Sequence, residues 1–410
     1  MTKIQGMNDK LETKKPGMLS GVRVLEFAAL IAAPSCAKFM SDHGAEVIKV
    51  ERFPNGDISR QSFGGGATGR GPMFLQQNAG KRGVCIDLKD PRGVELTLDL
   101  AEQCDVVIEA FTPGVMERLG LGYEALKVRN PGVILCSVSG FGQTGPNASK
   151  PGYAHVAHAM SGWLALQFLH REPPERPRGP GIAIGDTTTG LTAFGAVCAA
   201  LFNRERTGEG DHIDIALFDS LFGSNDVSLQ AELVGSDQSV WYHPVHEVKD
   251  GYVTANVGPD FRAWSNVCKA MGREELLSDE RFANHRALQE YIHEAGALVS
   301  EWLLGLTSDE AIERLEAHHI ACAKVLTIPD VVRQPQVVER GLIRSVDDPV
   351  FGTIDLVNSA YQYKYHHSGL RGPAPRLGEH NAQVLREVLK MQDSDIAKLE
   401  RDGVLRSEDV

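Results

Sequence analysis

Val22-Arg-Val-Leu-Glu-Phe27, Ser35-Cys-Ala-Lys-Phe-Met-Ser-Asp42 and Glu46-Val-Ile-Lys-Val50 follow one another near the start of the chain. The first and third are short β-branched runs, and the middle one carries apolar residues at helical spacing. The pattern predicts a βαβ unit. It repeats: strands are expected at Val84–Leu88, Asp105–Glu109, Gly132–Val138, Ile182–Ile184 and His212–Leu217, with helices at Pro91–Gln103 and Thr187–Arg206. Pro91 stands where a first helical turn tolerates a missing N–H. This alternation predicts an α/β fold with a parallel sheet.

The character changes near Leu229. A loop-rich stretch and one strand candidate, Gly251–Val257, precede helices expected at Phe261–Met271, Arg281–Leu304 and Ser308–His318. After Pro335 come short strands around Leu342–Val346 and Gly352–Leu356 and a helix over Asn381–Met391. The expected organisation is a flexible tail over residues 1–18, a large domain from 19–228 and 335–410, and a small domain over 229–334. At 410 residues and 42% hydrophobic, the chain exceeds one average domain.

A net charge of −12 argues against a sequence-independent grip on nucleic acid or anionic membrane, so any anionic ligand must be met by local cations. The seven cysteines are scattered and include no C-x-x-C pair, which suits reduced thiols in a cytoplasmic protein. Met1–Pro16 has no apolar core of a signal peptide, and no apolar run reaches membrane-spanning length. A soluble protein is expected.

Gly140-Phe-Gly-Gln-Thr-Gly145 satisfies the dinucleotide fingerprint G-x-G-x-x-G. The fingerprint requires a helix to open directly after it, so that the first amides hold pyrophosphate. Pro146-Asn-Ala-Ser-Lys-Pro151 continues as loop, and no acidic ribose ligand follows. An ordinary glycine-rich loop is expected.

Gly181-Ile-Ala-Ile-Gly-Asp186-Thr-Thr-Thr-Gly190 places a carboxylate between glycines ahead of a long apolar helix. Asp is a preferred N-cap, so a purely structural role fits. The same place also suits a nucleophile. Flanking glycines admit an acyl group, and helix N-terminal amides offer donors to a developing oxyanion. A carboxylate suffices against a thioester, giving a mixed anhydride that a thiolate can cleave.

The chain resembles the family III CoA-transferases (CaiB/BaiF family). The resemblance runs from Leu19 to about Val388 and rests on motifs in family order: Leu19-Ser-Gly-Val-Arg-Val-Leu-Glu-Phe27, Gly44-Ala-Glu-Val-Ile-Lys-Val-Glu-Arg52, Asn78-Ala-Gly-Lys-Arg82, Asp105-Val-Val-Ile-Glu-Ala-Phe111, Pro113-Gly-Val-Met-Glu-Arg-Leu-Gly120, Gly185-Asp186 and Leu377-Gly-Glu-His-Asn381. It implies a large Rossmann-like domain, a small central α+β domain and a homodimer of interlocked rings. It also implies transfer of CoA from an acyl-CoA to a small carboxylic acid, with CoA as substrate and no permanently bound cofactor. By resemblance Asp186 is the nucleophile, with oxyanion donors among the amides after it. Arg52, Lys81, Arg82, Arg118 and Leu119 are the expected CoA contacts.

The chain departs from that pattern at informative places. The racemase branch of the family has a histidine base where this sequence has Gly152-Tyr153-Ala154. A tyrosine hydroxyl, titrating near pH ~10, is a poor base, which favours transferase over racemase. Ile31 and Ala154 replace polar groups of the oxalate-specific branch. Tyr153, Ala154, His155, Ile31 and Gly258 are the candidates for the acid pocket. His155 and His158 share a face if helical, and packing or capping is the expected role of each. Val257–Phe261 is the nearest match to a glycine-rich shielding loop. His243-Pro-Val-His-Glu247 and the pairs His318-His319 and His366-His367 invite a metal reading, but Pro244 breaks the required helical geometry. No metal is expected.

Overall fold

The computed structural model describes residues 15–62, 64, 68–166, 181–236, 244–256 and 260–408. The chain divides into two units: one takes in residues up to Asn225 and again from Val338, and the other is Asp226–Val337.

The first unit is built on strands β1 (Arg23–Phe27), β2 (Glu46–Glu51), β3 (Arg82–Cys85), β4 (Val106–Glu109), β5 (Ile134–Ser139) and β6 (His212–Ala216). They form one sheet in the order β3-β2-β1-β4-β5-β6, and every pair is parallel. Helices α1 (Ala32–Asp42), α2 (Pro72–Asn78), α3 (Pro91–Glu102), α4 (Val115–Arg118), α5 (Tyr123–Arg129), α6 (Ala154–Met160), α7 (Trp163–Leu166), α8 (Ile184–Thr207) and α9 (Leu217–Gly223) lie in the connections or follow the last strand. The strand order reverses between β1 and β4, which is the doubly wound arrangement.

Both faces of the sheet are covered, so most of its strand positions are apolar. Leu25, Ile48, Val107 and Leu135 enter a core completed by Leu96, Leu100 and Leu126. Their neighbours Val24, Val47, Val106 and Ile134 enter the other, against Ala33, Cys36 and Ala37 of α1 and Ala193 and Val197 of α8. Small residues let these two helices touch. A Cβ on Gly190 would stand 2.6 Å from the Ser35 Cβ and 2.8 Å from the Ala32 carbonyl oxygen.

The strand expected at Ile182–Ile184 does not form. Ile184 opens α8, and β6 pairs directly with β5, leaving no place between them. Pro91 does occupy the first turn of α3, behind Asp90, whose side chain accepts the Arg92 amide. The tail expected through residue 18 takes on structure earlier, because Gly17 is buried and bridges His367.

The outer edge of β3 is occupied. Asn381 Oδ1 accepts the Cys85 amide at 2.8 Å, and His380 Nδ1 accepts that of Gly83 at 3.1 Å. Farther along, the Asp87 amide donates to Val404 and the Arg406 amide to Cys85. An edge strand's exposed polar groups are thereby paired. The segment before these contacts contains an antiparallel hairpin of Ile343–Asp348 with Gly352–Val357.

The second unit has a three-stranded antiparallel sheet of Val245–Val248, Gly251–Ala255 and Cys322–Lys324. Trp264, Phe282 and Leu288 sit in its core. The helix expected over Arg281–Leu304 is two, His285–Glu290 and Ile292–Leu303. The first starts late because the Asn284 side chain caps it by accepting the Ala287 amide. Among the described residues no helix is long and apolar enough to cross a membrane.

Candidate active site

A cleft of about 230 Å³ opens where the strand order reverses. Its walls are Ala29–Ala33 after β1, Ala110–Pro113 after β4, Val138–Gly140 at the end of β5, Ala148 and Lys150–Tyr153 of the following loop, and Asp186 and Leu217. Open α/β sheets bind ligands outside the carboxyl ends of their strands at this switch point.

Asp186 is the third residue of α8, and the N-cap is Ala183, which corrects the expectation that Asp186 caps the helix. Burial raises its carboxyl to about 6, opposed by the charge of His155. At neutral pH the group is mostly ionised yet poorly solvated, the condition of a reactive carboxylate. The amides after it do not serve as oxyanion donors: the Thr187 amide donates to the Ala183 carbonyl at 3.0 Å, and later ones are within the helix. Across the cleft, Ala32 and Ala33 open α1, whose first intrahelical bond runs from the Ser35 amide to Ile31. By position their amides have no intrahelical acceptor.

His158, from α6, accepts the Gly185 amide at Nε2 across 3.0 Å. The ring proton therefore lies on Nδ1, which is buried without a hydrogen-bond partner among the described residues. Burial, then His155, lowers the pKa of His158 and keeps it neutral. Gly185 is glycine because a Cβ would stand 2.9 Å from that Nε2. His155 is exposed and stacks on Tyr153, with centroids 6.0 Å apart. So the two histidines differ: one packs against the start of α8, and the other faces outward.

The glycine-rich segment is a closed loop, as its sequence implies. Gly140 and Gly152 meet so tightly that a Cβ on either would lie 2.4 Å from the other's Cα. Gly142 and Gly145 have φ of 85° and 92°. The Gln143 amide donates to Asp214 Oδ2 at 2.8 Å, pinning the loop to β6. Beside it, burial raises Glu109 to about 7, opposed by the Ser137 hydroxyl and the Phe111 amide.

Ile31, Tyr153 and Asp186 line one cleft, with Ile31 and Tyr153 as the N-caps of α1 and α6. Ala154 and His155 follow Tyr153 in α6. Arg52 and Arg118 are exposed, just beyond β2 and at the end of α4, and neither guanidinium is paired among the described residues. Leu119 is half-buried against the core beneath α3. Arg82 is paired with Glu46 and Glu387. Lys81 is fully buried, its ammonium 2.7 Å from Glu26. Gly258 and His243 lie outside the described residues, as does most of Val257–Phe261. Among the described residues no three metal-ligating side chains cluster.

Lys150, Glu26 and Lys49 escaped sequence reasoning. Lys150 and Asp186 are the charged residues of the cleft. Nothing in the local sequence distinguishes Lys150 from a surface lysine. Glu26 and Lys49, in contrast, had a signal: each is a charge flanked on both sides by apolar residues within a strand.

The sequence model of CoA-transferase family III matches residues 19–381. The chain is 33% identical over 406 residues to a succinyl-CoA:glutarate CoA-transferase of Mus musculus, spanning 96% of this chain and 91% of that protein. It is 32% identical to a succinyl-CoA–D-citramalate CoA-transferase of Chloroflexus aurantiacus, spanning 96% and 99%. A crystal structure of a CaiB/BaiF family protein from Brucella suis superposes with a TM-score of 0.78 at 31% identity, covering 91% of this chain and 100% of that one. With the motifs in order, the doubly wound sheet and agreement over nearly the whole length, this chain belongs to CoA-transferase family III.

Proposed function

We propose that the chain carries CoA from an acyl-CoA donor to a free carboxylic acid through covalent intermediates on Asp186. The observation that carries this reading is a carboxylate raised to about 6 by burial, lining the cleft at the sheet's switch point. The Asp186 carboxylate attacks the donor thioester carbonyl, and the C–S bond breaks to give an aspartyl–acyl anhydride and CoA thiolate. The thiolate attacks the aspartyl carbonyl, releasing the donor carboxylate and leaving an aspartyl–CoA thioester. The acceptor carboxylate displaces CoA thiolate from that thioester to form a second anhydride. Attack of the thiolate on its acyl carbonyl releases the new thioester and regenerates Asp186. No net proton is consumed. The Ala32 and Ala33 amides are the oxyanion donors in this scheme.

The acids are dicarboxylic. Both relatives named above act on succinyl-CoA, and in this cleft Lys150 supplies one cation for a second carboxylate while Asp186 meets the first. Arg52 and Arg118, exposed and unpaired among the described residues, bind the CoA phosphates. The working form is a homodimer, for which exposed Leu191 and Phe202 on α8 offer apolar surface.

The test is to incubate the protein with succinyl-CoA, trap with hydroxylamine or borohydride, and map the modified residue by mass spectrometry. Modification at Asp186, with Asp186→Ala inactive in CoA exchange, is expected. An active Asp186→Ala without modification there overturns the mechanism. Solvent deuterium uptake at the α carbon without CoA exchange assigns racemase chemistry in its place.

A further inference from the structure

Four charges lie wholly inside the first unit, with no exposed side-chain surface: Glu26, Lys49, Asp57 and Lys81. Glu26 of β1 and Lys49 of β2 are register partners, joined at 3.0 Å. Asp57 Oδ2 is 3.0 Å from the same ammonium, and Glu26 Oε2 is 2.7 Å from Lys81. Two anions and two cations leave the cluster neutral. Removing one partner of such a cluster is strongly destabilising, yet replacing the whole by apolar residues is often neutral or stabilising. Stability alone does not account for it.

What an apolar core lacks is the ability to hold backbone atoms, and this cluster holds three in one turn. Lys49 donates to the Ala28 carbonyl at 2.6 Å, and Lys81 to the Pro34 carbonyl at 3.0 Å. Asp57 Oδ1 accepts the Leu30 amide at 3.1 Å. Leu30 has φ of 68°, a left-handed conformation that is strained for a residue with a Cβ. Without an external hold, a leucine here relaxes to negative φ. The turn so gripped, Ala28–Pro34, supplies a wall of the cleft that Asp186 also lines and includes the Ala32 and Ala33 amides, which have no intrahelical acceptor.

We propose that Lys49, Asp57 and Lys81 are positioning residues for transfer: their buried cluster clamps Leu30 in its left-handed conformation and thereby aims the start of α1 at the reacting carbonyl. The proposal rests on the Asp186 reading above. It gives Lys81 a role inside the fold.

The test is a double-mutant cycle of Asp57→Asn with Leu30→Gly, read in kcat and KM for succinyl-CoA and in Tm. An asparagine has one acceptor and one donor head, so either Lys49 or the Leu30 amide loses its acceptor. Glycine holds positive φ unaided. Asp57→Asn is expected to lower kcat about tenfold, with KM little changed, when residue 30 is leucine, and less than about twofold when it is glycine. The loss of Tm should be similar in both backgrounds. An equal kcat loss in both backgrounds overturns the proposal and leaves the cluster a folding device. Should Asp57→Asn not fold, Ser59→Ala removes one hydroxyl bond to the same Asp57 oxygen, 2.7 Å long, and no charge. A kcat lowered about threefold at constant KM then supports the clamp, and an unchanged kcat overturns it. Activity in Asp186→Ala is a separate outcome and refutes only the nucleophile.

Discussion

The Gly185 amide donates to His158 Nε2 at 3.0 Å, so the residue immediately before Asp186 is held by a side chain of another helix. Replacing His158 by alanine leaves that buried amide without its acceptor, at a cost of about 1–3 kcal/mol. It also lets the first turn of α8 shift. We expect His158→Ala to lose at least about tenfold in kcat, with His158→Gln recovering part of it through its amide oxygen. Steady-state CoA exchange and urea denaturation of both variants check this.

The pH dependence follows from Asp186, raised from 3.8 to about 6. A carboxyl with a raised folded-state pKa favours the folded state at low pH. Its stability contribution is fully present below about 3.8 and is lost as pH rises through about 6. Asp186→Asn should therefore be more stable than the parent at pH 7, by up to about 2–3 kcal/mol before allowance for partial solvent access, and show little gain at pH 4. Activity runs the other way, rising with pH through about 6 as the nucleophile ionises. Urea midpoints and kcat/KM measured from pH 4 to 8 test both signs.

Gly152→Ala places a methyl 2.4 Å from the Gly140 Cα, where only backbone displacement relieves the overlap. A loss of about 1–3 kcal/mol is expected. Because the loop carries Lys150 and Tyr153 into the cleft, KM for the acid should rise more than KM for the acyl-CoA. Thermal melts and two-substrate kinetics give the answer.

Lys150→Met should raise KM for a dicarboxylate acceptor about tenfold, equivalent to about 1.4 kcal/mol, while a monocarboxylate of similar length is unaffected or favoured. A change confined to KM for the acyl-CoA would instead assign Lys150 to the CoA phosphates. Paired succinate and butyrate titrations separate the two.

The sheet was legible because a parallel strand buried on both faces is rich in apolar, β-branched residues, as Val22, Val24, Leu25 and Phe27 and then Val47, Ile48 and Val50 are. Ile182–Ile184 was misread because two β-branched residues flanking an alanine fit either a strand or the first turn of a helix, and only the neighbours of β5 decide. Asp186 was found by motif, but its depth in the helix, and hence the loss of Thr187 as an oxyanion donor, depends on where Ala183 leaves the preceding loop. The grip of Asp57 on Leu30 spans 27 residues and involves a backbone angle, neither of which has a local pattern. Lys150 reads as a surface lysine until the closure of Gly140 on Gly152 brings it to the cleft.

The edge contacts of β3 bear on how the chain comes into being. Cys85 waits for Asn381, 296 residues later, to cover its amide, and the Val404–Arg406 stretch arrives later still. During synthesis the nascent sheet therefore leaves the ribosome with a bare flank for most of translation, open to pairing with other chains. A chain cut short before Val404–Arg406 would lack the last of these bonds, so this flank of the sheet is sealed only when synthesis is nearly complete.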